Sequence, residues 1–212
     1  MIRKLKIISA AIAALAVIVA GSLFLIPPWR HNAQIALSKA ITYILPASNT
    51  PFPEIDSHGL TPLQIKILQT ARDEYAKHPA SYDANVLKYT HGAKEAWCAN
   101  FISWVMRQSG AAYRNPNSGG WRIPGVLTLR EYYQAEGRYK NPGHYKPKPG
   151  DVAFYIRKST SRLFRAEHVA LVIKTDGDTM TTLGGNEQSR MRIKTQTVHA
   201  GDNYLVGFGT LS

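Results

Sequence analysis

Apolar residues recur along this chain with three different spacings, and each spacing predicts a different kind of element. Residues 7–26, IISAAIAALAVIVAGSLFLI, carry no charge. A helix rising about 1.5 Å per residue crosses the roughly 30 Å hydrocarbon layer of a bilayer with such a run. Further on, Leu63, Ile67, Ala71 and Tyr75 recur at four-residue intervals. They form one helical face and predict a helix of about four turns that stops before His78-Pro79. Thr61-Pro62-Leu63-Gln64 has the form of a capping box at its start. In EAWCANFISWVMRQSG, residues 95–110, the stripe of Trp97, Phe101 and Val105 predicts a second helix with Gly110 as its C-cap. A shorter third helix is expected over Leu127 to Ala135.

From residue 150 the texture changes. GDVAFYIR, EHVALVIK, TMTTLGG, RMRIKTQTV and NYLVGFGTL are short, rich in β-branched and aromatic residues, and separated by polar or glycine-containing turns. Helices followed by a meander of strands predict an α+β domain, with helices packed on one antiparallel sheet. Between the apolar run and this domain, residues 33–44 have helix-like apolar spacing. Pro46, Pro51 and Pro53 then mark an extended linker. The expected organisation is a tail at 1–6, a transmembrane anchor at 7–27, a membrane-proximal segment and linker at 28–60, and a folded domain at 61–212.

Charge orients the anchor. Arg3, Lys4 and Lys6 precede the apolar run, whereas only Arg30 and Lys39 follow it closely. The positive-inside rule then puts the N-terminus in the cytoplasm and everything after the anchor outside. Ala20-Gly21-Ser22 imitates a signal cleavage site, but the apolar run continues through Leu23 to Ile26, which favours an uncleaved anchor. The formal charge is +12. A surface this basic attracts polyanions, and the outward location selects anionic headgroups or acidic wall polymers over nucleic acid. Disulfides are permitted there, yet the single cysteine, Cys98, has no partner in the chain.

Cys98 lies at the expected start of the second helix, where unpaired N–H groups and the helix dipole favour a thiolate. A free cysteine is also among the most buried of residue types, so position alone leaves both roles open. Of the seven histidines only His168 begins an apolar strand, in EHVALVIK. Alternation puts His168, Ala170 and Val172 on one face and Val169, Leu171 and Ile173 on the other. A strand end is a rigid mount for a general base, and equally an ordinary place for a polar edge residue. Asn186, in LGGNEQ, can orient an imidazole or simply mark a turn. No zinc-spaced cluster, phosphate-cradling loop or nucleotide fingerprint is present, and no metal or cofactor is expected.

Taken together, Trp97-Cys98-Ala99-Asn100-Phe101, Lys148-Pro149-Gly150-Asp151-Val152, Glu167-His168-Val169 and Gly184-Gly185-Asn186 resemble the ordered landmarks of the CHAP family, the cysteine, histidine-dependent amidohydrolases and peptidases. The resemblance covers roughly residues 85–210. It implies a papain-like fold, with Cys98 as nucleophile, His168 as base and acid, and Asn186 as orienting residue. It also implies cleavage of an amide in bacterial peptidoglycan, by an N-acetylmuramoyl-L-alanine amidase or a peptide-cleaving endopeptidase. Many members carry an acid two positions before the asparagine, where this chain has Gly184.

Trp97, Trp121, Arg122 and Tyr132 are the candidate substrate contacts. The expected whole is a single-pass protein of the bacterial cytoplasmic membrane, its hydrolase domain on the outer or periplasmic side. A hydrolase beside its own wall would need occlusion or a regulatory partner in the membrane. The competing readings are a non-catalytic wall-binding scaffold and an acyl-transfer or toxin-type enzyme on the same fold.

Overall fold

The computed structural model describes residues 50–79, 83–156, 167–198 and 204–212. Its first helix starts as the capping box dictates. Thr61 Oγ1 accepts the Gln64 N–H at 3.2 Å, and Gln64 Oε1 accepts the Thr61 N–H at 2.9 Å. Helix α1 then runs Pro62–Tyr75. Helix α2, Ala84–Thr90, is absent from the periodicity because it is barely two turns long. Its N-cap Asp83 accepts the Val86 N–H at 2.9 Å. Helices α3, Cys98–Gln108, and α4, Val126–Ala135, follow the expected stripes.

The sheet comprises β1 Tyr139–Lys140, β2 Val152–Ile156, β3 Glu167–Asp176, β4 Thr179–Glu187, β5 Arg190–Thr197 and β6 Leu205–Gly209. Their order across the sheet is β1-β6-β2-β3-β4-β5, with every pair antiparallel. The architecture is thus α+β. Alternation along β3 divides the interior as anticipated. Val169, Leu171 and Ile173 join Ile67 and Leu68 of α1 and Phe101, Ile102 and Val105 of α3 in the main core. Val172, with Ala153, Met180, Leu205 and Phe208, forms a second cluster. Among the described residues no helix is long and apolar enough to cross a membrane. The expected anchor at 7–27 and the amphipathic segment at 33–44 lie outside the described residues.

Two polar clusters tie these layers together. Asp151 is buried at the mouth of β2, where its Oδ2 accepts the Lys148 N–H and the Tyr145 hydroxyl, each at 2.8 Å. Burial pushes its pKa up to about 6 despite those bonds and the nearby Lys148 charge. The same turn is held from α1, since Gln64 Nε2 donates to Pro149 O at 2.7 Å.

Glu74 of α1 is only 2% exposed and accepts the Tyr89 hydroxyl at 2.5 Å while pairing with Lys77 and Lys88. Glu74→Ala strands the Tyr89 hydroxyl, which is wholly buried, whereas both lysines can turn to water. The expected cost is about 1–3 kcal/mol, read as a lower urea midpoint at unchanged slope.

Candidate active site

Cys98 is the first residue of α3, and the N-cap residue Trp97 makes no side-chain cap hydrogen bond. The positive end of the helix therefore lies at the thiol without a competing cap, and no acidic residue sits in the first turn to oppose it. Cys98 is 6% exposed. The segment leading into it is braced from the side. Glu95 Oε1 accepts from Arg122 at 2.7 Å and from Asn100 Nδ2 at 3.1 Å, and Arg122 also donates to Asn100 Oδ1 at 2.9 Å. Ser103 then exchanges hydrogen bonds with the backbone of Ile123, each 3.2 Å long. The loop around residues 115–123 is thereby fixed to the helix that carries the cysteine.

His168 begins β3, opposite Tyr155 of β2, whose ring centroid lies 6.2 Å from its own. Its Nε2–H donates to Glu187 Oε1 at 3.0 Å, since an ionised carboxylate can only accept. Cys98 is the other hydrogen-bond partner of the ring. Lys194 of β5 pairs with the other oxygen of Glu187. A chain of alternating polar partners thus runs Cys98, His168, Glu187, Lys194.

The charges in this chain reinforce one another. Burial works against an imidazolium at His168, but the Cys98 and Glu187 contacts outweigh it and raise the pKa to about 9. Burial likewise works against the Glu187 carboxylate, yet His168 and Lys194 hold it below its ordinary range.

Glu187 reaches His168 because β4 is irregular. Regular alternation from Gly184 would send residue 187 to the opposite face. Instead the β4–β5 register shifts between Gly184 and Glu187, and Asn186 takes a left-handed conformation with φ of 59°. Asparagine tolerates that region better than most residues. Gly184 is part of the same arrangement, for a Cβ there would overlap the Glu187 carboxylate and sit 2.9 Å from His168 Nε2. The carboxylate fills the space that a side chain at 184 would need. At Gly185 a Cβ would lie 2.7 Å from the Trp97 ring, so β4 can approach α3 only with glycine there.

A match to known proteins bears on this arrangement. Residues 88–186 match the family model described as CHAP domain. The matched segment, residues 88–186, belongs to the CHAP family. A solved structure titled "The crystal structure of Ly7917" is similar, with a TM-score of 0.44 and 13% sequence identity over 68% of this chain and 61% of that one. This chain therefore spans about 61% of that structure's length. No curated protein matches it significantly.

Within the CHAP domain Cys98 and His168 meet in an open cleft of about 760 Å³, which Asn186, Glu187, Arg192 and Lys194 also line. None of the four expected substrate contacts lines it. Trp97 is 1% exposed and packs against Tyr89 and Phe101. Trp121 stands against His91 and under the Arg107 guanidinium, 4.7 Å from its ring. Tyr132 packs on Tyr113 and accepts from Arg138 at 3.2 Å. Arg122 is committed to Glu95 and Asn100. Trp97 and Tyr132 thus support the core and Arg122 the helix start, while Trp121 lies between the exposed His91 and Arg107.

The functional side chains that sequence reasoning passed over are Glu187, Arg192 and Lys194. For Glu187 the available signal was Asn186 after two glycines, a left-handed candidate within a strand. Among the described residues no three His, Cys, Asp or Glu side chains gather so as to hold a metal ion.

Proposed function

We propose that this protein hydrolyses an amide bond of peptidoglycan through a covalent thioester on Cys98. What supports the reading most is the line of contacts Cys98, His168, Glu187 at the start of an uncapped helix. The Cys98 thiolate attacks the scissile carbonyl, and the backbone N–H of Cys98 with one further donor stabilises the oxyanion. The His168 imidazolium protonates the departing amine from Nδ1. Neutral His168 then takes a proton from water, which attacks the thioester and frees the thiol. The orienting part expected of Asn186 falls to Glu187, whose carboxylate fixes the ring through Nε2. Asn186 contributes the backbone turn that delivers Glu187, and Lys194 holds that carboxylate from its far side.

Location belongs to the same proposal. The uncharged run at 7–26 anchors the chain in the bacterial cytoplasmic membrane, with residues 61–212 outside. The linker, at full extension, limits the reach to roughly 100 Å. Cutting is then confined to wall near the membrane, and the basic surface suits an acidic polymer.

The test is incubation of isolated sacculi with the purified full chain, wild type and Cys98→Ala, followed by mass spectrometry of soluble products. Cysteine-dependent release of fragments is the expected result, and the new termini distinguish amidase from endopeptidase. Equal release by both proteins, or none by either, refutes the proposal.

A further inference from the structure

Of the cleft-lining groups that carry charge when Cys98 and His168 are a thiolate and an imidazolium, the proposed mechanism uses Cys98, His168, Glu187 and Lys194 and leaves Arg192 without a task. Arg192 lies on β5 directly opposite Gly184, the residue whose missing side chain makes room for Glu187 beside His168. Its neighbours Met191 and Ile193 are buried in the main core, so strand alternation turns Arg192 the other way, into the cleft it lines. Its Nε is fully buried and has no hydrogen-bond partner, and the guanidinium makes no ion pair among the described residues. Buried donors in folded proteins are nearly always satisfied. A guanidinium, moreover, cannot shed its charge to escape the penalty.

The cleft's charges make the vacancy specific. In the thiolate–imidazolium form, Cys98 offsets His168, and Glu187 offsets Lys194. Arg192 is then the uncompensated charge among the described lining residues, and a neutral thiol would only enlarge the positive excess. Its planar fork matches a carboxylate in two parallel hydrogen bonds. Two strand spacings, about 10 Å, separate β5 from β3. A carboxylate seated on Arg192 therefore lies close to an amide held between Cys98 and His168.

We propose that Arg192 is a specificity-determining residue that binds a free carboxylate of the substrate, so that the amide cut is one flanked by an unblocked acidic group. This rests on the hydrolase reading of the site. Arg122, the arginine expected among the substrate contacts, is already occupied by Glu95 and Asn100.

The experiment compares the full chain, purified in detergent, on muropeptides with free carboxylates and on the same muropeptides capped as methylamides. Wild type is expected to prefer the free acids by about 10- to 100-fold in kcat/KM, the range of a charge-assisted pair. Arg192→Gln should lose that preference by slowing on the free acids alone, and Arg192→Lys should retain part of it. Binding of both muropeptide forms to the Cys98→Ala chain gives a readout independent of turnover and of any folding defect at position 192. Equal cleavage of the two forms by wild type, equal binding by Cys98→Ala, or a preference that survives in Arg192→Gln overturns the inference while hydrolysis stands. Failure of wild type to cleave either form takes down the hydrolase reading, and this inference with it.

Discussion

His168→Ala is expected to lower kcat/KM on sacculus fragments about 10⁴-fold or more, with the far-UV circular dichroism of the fold retained. The loss is large because one ring serves both half-reactions. Without it the departing amine has no proton donor, and the water that resolves the thioester has no base. Wild-type kcat/KM should fall as pH rises through about 9, where the imidazolium that protonates the amine is lost.

The same group leaves a mark on stability, with a definite sign. A histidine whose folded pKa is raised stabilises the fold fully below its ordinary value near 6.5 and ceases to do so as pH rises through about 9. The wild-type Tm should decline across that window, and His168→Ala should flatten the decline. A profile with no alkaline limb near 9, or an alanine variant within tenfold of wild type, would remove His168 from the mechanism.

Glu187→Gln should slow hydrolysis about 10²- to 10⁴-fold, because a neutral amide neither holds the imidazolium nor fixes its tautomer as a carboxylate does. Activity alone would not distinguish positioning from general damage. The pH profile does, since Glu187 is one of the two contacts that raise the His168 pKa. In Glu187→Gln the alkaline limb should move to lower pH. A second arm exploits Gly184. Gly184→Asp in a Glu187→Ala background, where truncation has emptied the space that the Glu187 carboxylate fills beside His168, restores a carboxylate there and should recover part of the rate that Glu187→Ala loses. Gly184→Asp alone, with both side chains competing for one volume, should be impaired. An unmoved alkaline limb in Glu187→Gln would assign the orienting role elsewhere, with Asn186 the next residue to test.

Much of the architecture was legible because its determinants are local. The capping box at Thr61 to Gln64 involves residues three apart, and it forms as written. The helical stripes and strand alternation gave α1, α3, α4 and the five longer strands. Helix α2 escaped because its seven residues are too few to show a period, and β1 because two residues cannot alternate. Of the site, Cys98 and His168 stood out by their seats at the start of a helix and of a strand.

Glu187 was hidden by the same rule that revealed His168. Alternation sends it to the wrong face, and only a register shift against β5, with Asn186 left-handed, reverses it. Arg122 and Arg192 are likewise indistinguishable in one dimension, since each is an arginine near an aromatic or apolar stretch. Folding decides between them by bringing Glu95 and Asn100 to the first and leaving the second, in the cleft, without an ion pair among the described residues. Trp97, Trp121 and Tyr132 pack elsewhere because which wall a large ring meets depends on how α3 and α4 lie against their neighbours.

By itself, the sequence determined the α+β class, the order of the longer elements, and the candidate thiol and imidazole. Each of these depends on periodicity or on neighbours a few positions apart. Only the tertiary structure decided which carboxylate stands behind His168, which arginine faces the cleft, and which aromatics are spent on the core. Those outcomes depend on cross-strand register and on the meeting of distant side chains, which no local pattern encodes.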